Sequence, residues 1–209
     1  VASQQDEPKL IAVLKNPDAS QKEKVDACRQ LAIIGTKNAV APLAAMLGDE
    51  KLSHMARYAL EPIRDPAVDE TLRAALGKLK GMPLAGVITS IGVRRDAEAV
   101  QPLQQLLMQN EAGPYAMSAA VRALGQIGTV AAAEVLKVSL DHAPPEGMPD
   151  VYEGLFRCAE RFAAEGNRSA AIGIYDTLRA RNASHQVRGG ALRGAILARG
   201  SEGVALLRE

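Results

Sequence analysis

The sequence repeats itself with a period of about thirty residues. The two clearest copies share an Ile-Gly pair followed by the order Ala-Val-x-Pro-Leu, and they end at Leu43 and Leu103. Two weaker copies end at Leu72 and Leu136, so that successive leucines are 29, 31 and 33 residues apart. This period fits one helical hairpin per repeat. A single amphipathic hairpin cannot bury its apolar face alone, and therefore the repeats must stack on one another.

Local signals place the helices within each repeat. Apolar residues recur at helical spacing, for instance at Val40, Leu43 and Leu47, and no window alternates with period two for long enough to predict a strand. We predict a short helix over about 8–15 within an N-terminal extension, 1–19, and a repeat region over 20–209. The hairpins of that region are predicted at about 20–48, 52–77, 81–110, 114–142, 150–181 and 184–209. The predicted fold class is all-α, a right-handed α-α superhelix of about six helical hairpins.

Capping residues mark several predicted helix ends. Ser20 and Asp150 each precede a Glu by three residues, which is typical of a capping box at a helix start. Gly35, Gly92 and Gly128 follow apolar runs and suit left-handed C-terminal caps.

Composition excludes several classes of function. With 25 Lys and Arg against 24 Asp and Glu, the formal charge is +1, which leaves no strong field to attract nucleic acid or an anionic membrane. No apolar run is long enough to span a bilayer. Cys28 and Cys158 are isolated within apolar helical patterns, and we predict two buried thiols and neither a metal site nor a cofactor.

Residues suited to catalysis are scattered. His54, His142 and His185 fall in three different hairpins, near predicted helix ends. No local pattern indicates a Ser-His-Asp or Cys-His arrangement. We therefore predict that the chain is not an enzyme. Nine arginines lie between 151 and 209 among six acids, and we interpret them as partners of carboxylates within the repeats and not as a nucleic-acid surface.

Three segments resemble the HEAT-repeat family, particularly its short bacterial type. They are Val121–Gly128, the Ile34-Gly35 pair with Ala39–Leu43, and Val187-Arg188 with Ala191-Leu192. The resemblance covers roughly 20–209. It implies a right-handed α-solenoid whose second helices line a concave face, and it implies binding and not chemistry.

Aligning the second helices on the four leucines indicates which polar positions lie off the core. A mixed-charge groove of this kind suits a protein or peptide segment, because electrostatics there contributes specificity more than affinity. We predict a non-enzymatic interaction scaffold that binds a protein, or another domain of its own chain, through this face. The predicted binding residues are Glu70, Arg73, Gln101, Gln104, Gln105, Glu134 and Lys137.

Two alternatives remain open from the sequence. One is an enzyme-associated protein resembling bilin lyases or HEAT-type DNA glycosylases, which would need a pocket where an acid meets aromatics or a basic rim. The other is a structural spacer with no binding patch. The family resemblance and the short polar start favour a bacterial periplasmic or secreted protein over a cytoplasmic one. The sixth hairpin lacks a polar closing helix, and we expect the native protein to continue past Glu209.

Overall fold

A computed structural model describes residues 3–109 and 111–208, and these residues form helices and no strands. This confirms the predicted all-α fold of helical hairpins. The predicted hairpin ends at 110 and 209 lie outside the described residues. The described residues also form 3-10 helices at Gln4–Asp6, Ala97–Ala99 and Gly200–Arg208. The α-helices are α1 Glu7–Lys15, α2 Gln21–Ile34, α3 Lys37–Ala44, α4 Ser53–Leu60, α5 Pro66–Leu76, α6 Gly81–Arg94, α7 Val100–Gln109, α8 Pro114–Ile127, α9 Val130–His142, α10 Met148–Ala164, α11 Arg168–Arg179 and α12 His185–Arg199.

The chain divides into two compact units, residues 1–123 and 124–209. In the first unit, the first helices of the hairpins pack in one row, α2 on α4 and α4 on α6. The second helices form another row, in which α1 packs on α3 and α3 on α5. The motif leucines Leu43, Leu72 and Leu103 are fully buried. The repeat period of the sequence is therefore the spacing of buried anchors in the second-helix row.

In the second unit, α10 packs against α9, α11 and α12, and α12 also packs against the last 3-10 helix. Glycines allow close approach at two places. A Cβ on Gly125 would lie 2.6 Å from the Cα of Gly154, and a Cβ on Gly194 would overlap the Tyr175 ring. Small residues therefore bring α8 close to α10, and α12 close to α11.

One of the two predicted capping boxes is present. The Ser20 hydroxyl accepts from the Glu23 amide, and the Glu23 carboxylate accepts from the Ser20 amide at 2.7 Å. The prediction at Asp150 is wrong, because α10 begins at Met148 with Pro149 in its first turn. Asp150 lies within that turn, where a negative charge interacts favourably with the helix dipole.

One of the three predicted glycine caps is left-handed. Gly128 has φ +62°, as predicted, whereas Gly35 is extended at φ −62°. Glycine is needed at position 35 because a side chain has no room there: a Cβ would overlap the carbonyl oxygen of Leu31. Gly92 lies inside α6, which continues to Arg94, and the left-handed cap is Arg95 at φ 55°. The predictions for Gly35 and Gly92 are therefore wrong.

The two cysteines are buried, as predicted. Burial raises the pKa of each thiol, Cys28 and Cys158, to about 11. Both side chains are therefore packed as protonated, apolar groups. None of the helices in the described ranges is both long enough and apolar enough to cross a bilayer.

Candidate binding groove

Arginine side chains connect successive hairpins of the first unit. Arg94, at the end of α6, donates from Nη1 to the carbonyl oxygens of Glu61 and Ile63, each at 2.8 Å. The same guanidinium donates from Nη2 to Asp69 Oδ2 at 2.9 Å. The hydrogen bond to Asp69 raises the pKa of Arg94, although burial opposes this. Arg94 therefore satisfies carbonyls that follow α4 and fixes α6 to α5.

A second arginine, Arg73 on α5, holds the loop before α7. Its guanidinium contacts Asp96 Oδ2 at 2.5 Å and Glu98 Oε2 at 2.7 Å. The Asp96 side chain is only 6% exposed, and its other oxygen accepts from the Glu98 amide. Burial opposes ionisation of Arg73, but the hydrogen bond and charge of Asp96 raise its pKa. Arg73 thus fixes the start of α7 relative to α5.

Next to this ion pair, a depression of about 670 Å³ lies between α5, the start of α6, and α7. Leu76, Leu84 and Leu106 contribute apolar side chains to its lining. Lys80 and Gln105 contribute polar ones. The lining of this depression therefore mixes polar and apolar surface in similar amounts.

A second depression, of about 470 Å³, lies between the end of α3 and α5. Small side chains, among them Ala44 and Ala74, line it together with Lys78. Leu79 lines both depressions, which are therefore adjacent. We call the two together the α3–α5–α7 groove, because residues at or next to α3, α5 and α7 line it.

The predicted binding residues of the first unit occupy different places. Arg73 and Gln105 line the groove. Glu70 and Gln101 are exposed and Gln104 is half-buried, and none of these three belongs to the groove lining. Arg73 is held by Asp96 and Glu98 as described above, so that its charge is already balanced within the chain.

The other two predicted residues lie in the second unit. Glu134 and Lys137 are one turn apart on α9, and their side chains form an ion pair at 2.8 Å. The Glu134 side chain is more exposed to solvent than the Lys137 side chain. The first unit therefore gathers two of the seven predicted residues, Arg73 and Gln105, into one groove.

The groove also contains residues that the sequence analysis did not select. They belong to the turn from Gly77 to Gly81 between α5 and α6, which carries Lys78, Leu79 and Lys80. Lys78 and Lys80 are exposed, and the ion pairs between described residues include neither of them. The two lysines between Gly77 and Gly81 are visible in the sequence. An alignment on the leucines of the helices compares helix positions, and it therefore does not consider residues of the turns.

Gly77 is the C-terminal cap of α5 and lines the groove. Its φ of −84° is accessible to any L-residue, and a Cβ there would meet nothing within 4 Å. Gly81 in contrast has φ +57°, which favours glycine on conformational grounds. Neither backbone strain nor packing within the chain therefore requires glycine at 77, and the bare backbone there faces open space.

Groups suited to chemistry are dispersed among the described residues. His54, His142 and His185 are exposed near the ends of α4, α9 and α12, as predicted. Within 3–109 and 111–208, no three His, Cys, Asp or Glu side chains converge as a metal site would require.

Among the described residues of the second unit, five of the nine arginines that the sequence analysis counted form carboxylate pairs within that unit, as predicted for them. Arg161 also donates to the carbonyl oxygen of Ile127 at 2.7 Å, at the end of α8. Asp176 accepts from both Arg179 and Arg199. The ion pairs between described residues are Arg157–Glu153, Arg161–Glu165, Arg179–Asp176, Arg199–Asp176 and Arg181–Asp141.

A known protein family matches part of this chain. Residues 84–148 match the family model described as HEAT repeats. These residues are HEAT repeats. The matched segment includes most of α6 and the whole of α7, and it confirms the resemblance predicted from the sequence. A search of curated proteins found no significant match to the chain.

Solved structures with a similar fold cover most of this chain. A designed armadillo repeat protein in complex with the peptide (KR)4 has a TM-score of 0.53 and 20% identity, over 92% of this chain and 99% of its own. An engineered protein from a structural genomics consortium has a TM-score of 0.53 and 19% identity, over 95% of this chain and 97% of its own. Repeat folds of this kind are a common scaffold for protein binding.

Proposed function

We propose that this HEAT-repeat chain is a non-enzymatic scaffold that binds a segment of another protein in the α3–α5–α7 groove. The observation that carries the proposal is the pair of adjacent depressions along the second-helix row, each bordered by polar side chains. Solenoid repeats present extended surfaces of this kind to their ligands. The designed armadillo repeat protein with a similar fold holds a peptide.

The arginine pairs support a preorganised groove. Arg73 ties α5 to the start of α7 through Asp96 and Glu98, and Arg94 ties α5 to α6 through Asp69. A groove whose walls are already fixed costs less to order when a ligand binds. These arginines therefore act through the shape of the groove, while the unpaired polar residues are available to the ligand.

The test uses a variant that fills the groove without disturbing the fold. Gly77→Trp places a large ring on a backbone position that any residue can adopt and that has open space around it. The matched control is Gly173→Trp on α11 in the second unit, where a Cβ also meets nothing within 4 Å. Circular dichroism and thermal melting establish that both variants are folded.

The measurement is quantitative mass spectrometry of proteins captured from a lysate of the organism that encodes the chain, with each variant as bait. We expect a partner that the wild type and Gly173→Trp retain and that Gly77→Trp loses. A partner retained equally by all three baits would contradict binding in this groove.

A further inference from the structure

We draw no further inference here: the strongest candidate, the surface patch of exposed apolar side chains that Leu197 of α12 and Val204 and Leu207 of the adjoining 3-10 helix contribute to the second unit, is an unpartnered face, and nothing in the structure shows what covers it.

Discussion

Asp69 of α5 and Arg94 of α6 are joined across successive hairpins by a two-pronged ion pair, with Nη2 and Oδ2 at 2.9 Å and Nε on the second oxygen. Asp69 stands three residues before Leu72, the place that Val40 and Val100 hold before their own leucines. The second hairpin therefore has a carboxylate where its neighbours have an apolar side chain. The third hairpin supplies the partner, Arg94, from the end of its first helix, α6, which is longer than the first helix of the second hairpin, α4.

Arg94→Ala is expected to lower the free energy of unfolding by about 3 kcal/mol, because it leaves Asp69 without its partner and frees the carbonyls of Glu61 and Ile63. The Arg94 side chain is 11% exposed and that of Asp69 is 24% exposed, so solvent compensates little. Urea denaturation of the single variants and of Arg94→Ala with Asp69→Ala gives a double-mutant cycle. We expect a coupling of about 1–3 kcal/mol, and strictly additive effects would contradict it.

A control pair tests whether burial is the reason. Arg157 and Glu153 form an ion pair of similar length on α10, but both side chains are 53% exposed. Arg157→Ala should therefore cost less than about 1 kcal/mol. A loss as large as that of Arg94→Ala would mean that position in the fold, and not desolvation, determines the cost.

The left-handed cap of α6 offers a stabilising substitution. Arg95 has φ 55°, a conformation that disfavours residues with a Cβ by about 1 kcal/mol. Arg95→Gly should raise the free energy of unfolding by about 0.5–1 kcal/mol, measured by urea denaturation. Arg95→Ala is the control, because alanine keeps the Cβ and should bring no such gain. Equal stabilities of the glycine and alanine variants would contradict backbone strain at this position.

The sequence was sufficient for the features that depend on local pattern. The leucine period identified the buried anchors Leu43, Leu72 and Leu103, and the capping box at Ser20 is present. Helical periodicity and capping act within a few residues, and therefore one sequence shows them directly. The Asp150 box failed because Pro149 also suits a first turn and the helix begins earlier.

The groove could be predicted only in part, because it depends on contacts between repeats. Arg73 was predicted as a free binding residue, but Asp96 lies 23 residues further on, and only stacking of the hairpins brings the two together. Lys78 and Lys80 lie in a turn, and helical periodicity does not indicate which way a side chain in a turn points. The row of polar helix positions thus included Arg73 and Gln105 of the groove lining and missed Lys78 and Lys80.

Two glycines of the second unit should respond to alanine with opposite sign. Gly125→Ala should destabilise by about 1–3 kcal/mol, because the new Cβ would lie 2.6 Å from the Cα of Gly154 and backbone must move. Gly173→Ala on α11 meets nothing within 4 Å and should stabilise by up to about 1 kcal/mol through helix propensity. Thermal melting of both variants measures the contrast. A gain for Gly125→Ala would show that α8 and α10 do not approach as closely as described.

The buried thiols should be inert in the folded protein. Burial raises the pKa of Cys28 and Cys158 to about 11, so the reactive thiolate is scarce at neutral pH. A thiol-reactive chromogenic disulfide should label neither cysteine rapidly at pH 8 and should label both in denaturant. The Cys28→Ala and Cys158→Ala variants assign the two sites. Rapid labelling of either cysteine in the native protein would contradict its burial.

Asp176 should make the second unit sensitive to acid. Partial burial alone would raise the pKa of this carboxyl, but hydrogen bonds from Arg199 and Arg179 outweigh burial and hold it below the ordinary 3.8. A lowered folded-state pKa means that the stabilisation is complete above about 3.8 and is lost as the pH falls through the folded value. Asp176→Asn should therefore cost roughly 1 kcal/mol at pH 7, and the difference from wild type should shrink below pH 3.8. Urea denaturation at several pH values measures this difference, and one that stays constant with pH would contradict a lowered pKa at Asp176.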